Sequence, residues 1–340
     1  MSKIVCFGEI MLRLAPPGYQ RFTQADTFEA VYGGGEANVA VSLANFGLEA
    51  SYITKIPNNP IGQSAINELR RYGVDTCEIL RGGQRLGIYF LEKGASQRAS
   101  VVVYDRKYSS ISEVKLGEFD WGRIFKGAKW FHFTGITPAL SKAAADVTME
   151  AAKAAKKLGI TVSCDLNYRK NLWTPDEAGK VMSGLMPYVD LCIANEEDAE
   201  KVFGIKADET EVSEGKLSHE AYKQVAKKLK DKFSFKKVAI TLRESMSADD
   251  NIWSGMLYDG ENYHFSQKYD IHIVDRVGGG DSFAAGLIYG MMRDMTDMES
   301  LEFAVAASCL KHSIEGDANH VSAAEVKALM GGDASGRVKR

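Results

Sequence analysis

Val274–Gly286 reads VDRVGGGDSFAAG. Three consecutive glycines, Gly278, Gly279 and Gly280, precede Asp281, and an amphipathic helical pattern runs from Ser282 to Arg293. Glycines at this point let backbone N–H groups converge at a helix N-terminus, where the macrodipole favours an anion. An aspartate beside such an anion hole would repel a phosphate that was merely bound there. It is explained if Asp281 accepts a proton from an alcohol while the amides stabilise a transferring phosphoryl group. A plain helix cap after a flexible loop is the other reading of Asp281, and the segment by itself leaves both open.

A second glycine cluster lies near the other end of the chain, in Val31–Phe46, VYGGGEANVAVSLANF. A dinucleotide-binding loop would need a strand directly before it and a glycine where Asn38 stands. Two other readings remain: a backbone that a sugar hydroxyl can approach, with Asn38 offering both donor and acceptor, or a bare helix-start turn. A Walker A loop is absent, because Gly179-Lys180 and Gly215-Lys216 each have threonine where the leading glycine should be. The protein-kinase HRD and DFG set is absent too.

Between the clusters, short β-branched runs alternate with longer helical patterns. Strands are expected at Ile4–Phe7, Ser51–Ile56, Trp130–Phe133, Thr161–Asp165, Leu191–Asn195 and Lys237–Leu242. Helices are expected at Glu36–Phe46, Gln63–Tyr72, Lys142–Leu158, Glu177–Met186, Glu220–Lys232, Ser282–Arg293 and Leu301–Ser313. This alternation predicts an α/β fold with a mostly parallel sheet covered by helices on both faces. Two stretches depart from it, about 11–35 and 86–106, where Gly87–Glu92 and Ser100–Tyr104 read as a hairpin. They predict a small antiparallel sheet apart from the main core, either a lid over a cleft or an extension used for dimerisation. A second hairpin is expected between Ile252–Tyr258 and Tyr263–Gln267, with a tight turn at Asp259-Gly260. The tail from Gly331 is small and polar and is expected to fray.

The chain has 340 residues, enough for roughly two domains at about 150 residues each. Lys and Arg number 42 against 45 Asp and Glu, a net charge of −3, which disfavours a nucleic-acid or membrane-surface binder. Apolar residues at 45% and charged residues at 26% are ordinary for a globular protein. The 32 glycines against 7 prolines direct attention to close backbone approaches. The five cysteines have no CxxC spacing, and Cys6, Cys164 and Cys192 sit in apolar runs, as reduced core thiols of a cytoplasmic protein do. No signal peptide, spanning run or HExxH zinc motif is present.

With these motifs in hand, the sequence resembles the ribokinase, or PfkB, family of carbohydrate kinases over nearly its whole length. The resemblance rests on the Gly8-Glu9 start, the GGGEANVA segment and the VDRVGGGDSFAAG signature. Within the family it is most similar to the 2-keto-3-deoxygluconate kinases, through Tyr104-Asp105-Arg106, Asp165-Leu166-Asn167-Tyr168-Arg169 with Leu172-Trp173, and Asn195-Glu196-Glu197-Asp198. The resemblance implies a ribokinase-like three-layer α/β/α core, residues 1–330 forming a single domain with a β-sheet lid, and 331–340 a flexible tail.

Carried over by motif, Asp281 is implied as catalytic base and Gly278, Gly279 and Gly280 as anion hole. Gly34, Asn38, Tyr89, Tyr104 and Asp317 are implied as substrate contacts. Arg106 and Arg169 are implied to hold a substrate carboxylate, which a planar guanidinium grips through two parallel hydrogen bonds. A surface ion pair with a nearby acid is the other reading of each arginine. Asn195, Thr241 and Arg243 are implied at the nucleotide, and Asp198 at a water-mediated Mg2+. Two departures stand out. Asp198 occupies the place of the family's usual glutamate, and Thr241-Leu242-Arg243-Glu244-Ser245 replaces a Thr-x-Gly-x-x-Gly turn.

The implied activity is ATP- and Mg2+-dependent phosphorylation of 2-dehydro-3-deoxy-D-gluconate at its terminal hydroxyl. The implied partners are a sugar acid, ATP and a second copy of the chain through the lid. A neutral-sugar kinase and a catalytically silent sugar- or nucleotide-binding regulator are the rival readings, with a dehydrogenase behind them.

Overall fold

Ile4, Val5, Cys6 and Phe7 are completely buried. Their side chains alternate between two cores, Val5 and Phe7 entering one and Ile4 and Cys6 the other. A strand covered on both faces has no solvent side to mark with polar residues, which explains the continuous apolar run. The computed structural model of the chain describes residues 3–207, 212–213, 216–217 and 219–333. The frayed tail expected from Gly331 lies, from residue 334 onward, outside the described residues.

The strand Lys3–Phe7 sits inside a nine-stranded sheet. Its parallel part runs Glu49–Ile53, Lys3–Phe7, Ala128–Thr134, Thr161–Asp165, Leu191–Ala194, Lys237–Ser245. Asp250–Tyr258 then pairs antiparallel, carrying Tyr263–Phe265 and Tyr269–His272. From Lys3–Phe7 the chain first builds outward to Glu49–Ile53, and later returns to the opposite side with Ala128–Thr134. That reversal opens a crevice at the carboxyl ends of the strands, where α/β sheets bind ligands. Among the described residues no helix is long and apolar enough to cross a membrane.

The four-stranded lid runs Glu29–Gly33, Met11–Ala15, Gly87–Glu92, Val101–Asp105. Its outer pairings are antiparallel, but the central pair is parallel, Met11 opposite Gly87, so the lid is a mixed sheet instead of the all-antiparallel one expected. Met11, Ala15, Tyr89 and Leu91 form its small apolar core. Val101–Asp105 is exposed at every position.

Three local expectations need correction. The run Ser51–Ile56 divides into Glu49–Ile53 and Lys55–Ile56, which belong to different sheets. Asn195 is not a strand residue but caps a helix, Glu196–Phe203, that was not anticipated. The Asp259-Gly260 hairpin is wider than a two-residue turn, since Tyr258 pairs with Tyr263. Its loop is held by the Asp259 carboxylate, which accepts from the N–H groups of Glu261 and Asn262, both at 2.7 Å.

Candidate active site

The helix expected from Ser282 begins earlier, at Gly279, and ends at Met292. Gly278 caps it with φ 83°, the left-handed conformation that glycine adopts without cost. A Cβ there would lie 1.9 Å from the carbonyl oxygen of Asp317, so glycine is also required by space. The first intrahelical bond runs from Ser282 N–H to the Gly278 carbonyl at 2.8 Å. The amides of Gly279, Gly280 and Asp281 therefore precede the helical ladder; that of Gly279 turns to the Arg276 carbonyl at 3.5 Å, and those of Gly280 and Asp281 keep the arrangement that suits an anion.

Asp281 is not the helix cap. It stands in the first turn, and its carboxylate Oδ2 accepts from Nδ2 of Asn38 at 2.7 Å. Asn38 Oδ1 in turn accepts from the Gly34 N–H at 3.3 Å, so the two glycine clusters meet at one carboxylate. Burial pushes the Asp281 carboxyl up to about 6; the Asn38 bond and the charges of Arg169 and Lys311 pull the other way, while Asp317 adds to the rise. A carboxylate that ionises just below neutrality suits a general base.

Asn38 and Gly34 are themselves positioned by Glu36. Its buried carboxylate accepts from Thr134 N–H at 2.9 Å, Thr134 Oγ1 at 2.8 Å and Thr137 Oγ1 at 2.7 Å. These bonds fasten the helix Gly35–Asn45 to the end of the strand Ala128–Thr134.

A cleft of about 1080 Å³ opens above Asp281 and is lined by every residue expected from the sequence except Gly279. Gly279 lies behind it, since a Cβ there would meet the His312 ring at 2.5 Å. On the lid side, Tyr89 and Tyr104 are cross-strand partners with rings 6.0 Å apart. The Tyr89 hydroxyl donates to Asp317, whose other oxygen accepts from Arg13 Nη1 at 2.8 Å. Arg13 Nη2 reaches Asp275 at 2.6 Å, making a buried network beneath the lid.

The two arginines differ. Arg106 is buried, stacks 5.2 Å over the Tyr104 ring, and gives Nε and Nη2 to Glu9, with Nε at 2.9 Å. Glu9 also accepts from Ser109 at 2.6 Å. Arg106 thus has an acid partner, but one inside the protein and not at its surface. Arg169 is exposed on the opposite wall, with Nη1 on the Tyr168 carbonyl at 3.1 Å.

At the far end, Asp198 completes a capping box: its N–H donates to Asn195 Oδ1 at 2.8 Å, and its carboxylate accepts from the Asn195 N–H at 3.4 Å. The carboxylate also accepts from the Tyr168 N–H at 3.0 Å. Burial raises Asp198 to about 6, and raises Asp165 well above the carboxylate range with help from the charges of Asp198 and Asp281. A buried carboxylate crowded by other carboxylates in this way suits a hard divalent cation, and the all-oxygen character of Asp165 and Asp198 fits Mg2+. Thr241 and Arg243 lie on the neighbouring strand. Glu244 is paired with Lys268 at 2.7 Å, while Arg243 faces Arg276 closely enough that burial and the Arg243 charge both lower the Arg276 pKa.

Several residues in and beneath the cleft escaped the sequence reading. Asp165, at the carboxyl end of an apolar strand, sits where a parallel sheet places functional groups. Arg276 lies two residues before the glycine run. Arg13 had one signal: in MLRLA it shares the inward register of Met11 and Ala15, and all three are buried.

Such a cleft, with a buried carboxylate set among helix-start amides at the crevice of a doubly wound sheet, fits a group-transfer enzyme of the ribokinase type. Residues 1–323 match the pfkB family carbohydrate kinases, and the chain belongs to that family. It is similar to the crystal structure of a 2-dehydro-3-deoxygluconokinase from Thermotoga maritima, with 54% identity, TM-score 0.94, and coverage of 97% of this chain and 100% of that one. It is 30% identical to a 2-dehydro-3-deoxygalactonokinase of Haloferax volcanii across 98% of both chains. A 2-dehydro-3-deoxygluconokinase of Bacillus subtilis is 28% identical, over 92% of this chain and 90% of its own.

Proposed function

We propose that this enzyme transfers the γ-phosphoryl group of ATP to the terminal hydroxyl of 2-dehydro-3-deoxy-D-gluconate, giving the 6-phosphate. The observation that carries the reading is Asp281, placed in the first helical turn beside the helix-start amides and held by Asn38 at 2.7 Å. The acceptor O–H bond breaks and its proton passes to the Asp281 carboxylate. The acceptor oxygen then bonds to the γ-phosphorus as the bond to the bridging β,γ-oxygen breaks, and ADP leaves with that oxygen's electron pair. The amides at Gly278 and Gly280, both on the cleft wall, stabilise charge on the phosphoryl oxygens.

At the sugar, Arg169 and the remaining donors of Arg106 bind the carboxylate, and Asn38 and Gly34 meet hydroxyls. The lid tyrosines close over the substrate and exclude water that would hydrolyse ATP. Asp198 and Asp165 would hold Mg2+, which when bound would neutralise charge on the triphosphate. Arg243, joined by Arg276, faces the phosphates, while His219 and Tyr222 also line the same cleft.

The reading treats residues 1–330 as one catalytic unit, supported by a core cluster whose members extend from Ile4 to Leu329. It also includes self-association through the lid. Val101 and Val103 are 41 and 49% exposed on an edge strand whose intervening Val102 and Tyr104 line the cleft, so the strand presents both apolar surface and unpaired backbone groups to a second copy.

A coupled ADP-release assay over a substrate panel tests the proposal. The acid reading expects turnover with 2-dehydro-3-deoxygluconate, with the galactonate epimer as its closest competitor, and little with fructose or ribose. Strong turnover of neutral sugars and none of keto-deoxy acids would overturn it, and no ATP consumption anywhere would favour the silent regulator.

A further inference from the structure

Lys311 has no exposed surface. It lies in the last turn of the helix Asp297–His312, and its ammonium donates to two backbone carbonyls, Ile314 at 3.0 Å and Asp275 at 3.4 Å. The nearby carboxylates of Asp275 and Asp317 are both engaged by Arg13, at 2.6 and 2.8 Å. A buried ammonium is costly, and an apolar side chain of the same length would fill the space without that cost. Burial lowers the Lys311 pKa, while the charges of Asp275, Asp317 and Asp281 support its proton and Arg13 opposes it.

Its location gives the charge a use. The Lys311 Cε lies 3.3 Å from where a Cβ of Gly278 would be, directly under the start of the glycine run. Asp275 precedes Gly278 by three residues, and Ile314 precedes Asp317 by three. The Asp317 carbonyl is in turn the group against which Gly278 packs. Lys311 therefore joins the two loops whose contact sets the position of the helix-start amides. Carbonyl oxygens converging on a monovalent cation are a familiar coordination pattern, and here the cation is part of the chain.

We propose that Lys311 is a positioning residue for phosphoryl transfer, a tethered ammonium that draws the Asp275 and Ile314 carbonyls together and fixes Gly278–Gly280 where their amides meet the phosphoryl group. This rests on the kinase reading given above. The test compares wild type with Lys311→Met, which fills the path of the stem, stops one atom short of the ammonium position and removes the charge, in ammonium chloride and in sodium chloride of equal ionic strength.

The expected result is a kcat lower by on the order of 10- to 100-fold, with the KM for the sugar acid within about twofold of wild type. Ammonium raises the variant's kcat severalfold over sodium and leaves wild type unchanged. If Lys311→Met does not fold, Lys311→Gln, which keeps an N–H donor without the charge, carries the same measurement. A folded variant with wild-type kcat, or a lowered kcat that ammonium does not lift above sodium, overturns the inference. Amide hydrogen exchange over 275–280 and 314–317 separates the two claims. Faster exchange in the variant, slowed by ammonium, upholds the loop-joining role even if wild type phosphorylates no sugar acid, in which case only the kinase reading fails. Unchanged exchange overturns the role.

Discussion

Asn38 and Asp281 stand 243 positions apart in the chain and meet at 2.7 Å, amide to carboxylate. The contact brings the Gly33–Gly35 cluster and the Gly278–Gly280 cluster onto a single ionisable group. It also stabilises the charged form of that group against the burial that opposes it.

A pH dependence follows. With the Asp281 carboxyl near 6, the acidic limb of kcat/KM should fall with unit slope below about pH 6, because the protonated acid no longer accepts the hydroxyl proton. Asn38→Ala removes a bond that lowers this pKa, so the limb should move to higher pH. The pH–rate profiles of the two proteins check this, and a limb that stays in place or moves to lower pH contradicts it.

Arg169, exposed on the cleft wall and bound only loosely to its neighbour's carbonyl, should carry the preference for an acid. Arg169→Ala should lower kcat/KM for the keto-deoxy acid by roughly 10- to 100-fold, the range expected for a lost charge-assisted hydrogen bond. Residual turnover of a neutral analogue should change little. Equal losses on both substrates would show that the arginine does not read the carboxylate.

The exposed valines of the lid predict an oligomer at micromolar concentration by light scattering. Val103→Asp, 49% exposed at the centre of that strand, should shift the mass toward monomer without changing the Tm of the core. A wild-type monomer would refute the lid interface.

What could be read from the sequence was what depends on neighbours along the chain. The glycine run before Asp281 is such a feature, as are the apolar strands and the helices between them. Arg106 shows the boundary: its side chain invited a substrate carboxylate, yet its partner Glu9 lies 97 residues away and no local pattern announces it. Asp198 shows another, since the Asn-x-x-Asp spacing taken for metal handling also builds a capping box. The Arg13–Asp275–Asp317 network was hidden because its members sit on three separate segments that only the tertiary fold brings together. Lys311 was hidden in a helix whose pattern gives no sign that its last turn is fully buried.

The central claim is that Asp281 removes the proton of the acceptor hydroxyl. Sugar-acid-dependent ADP release by purified Asp281→Asn tests it most directly, with circular dichroism verifying the fold. The carboxamide keeps the shape and loses the base, so kcat should fall by about 10²- to 10⁴-fold with ATP binding retained. Turnover near the wild-type rate would contradict the mechanism.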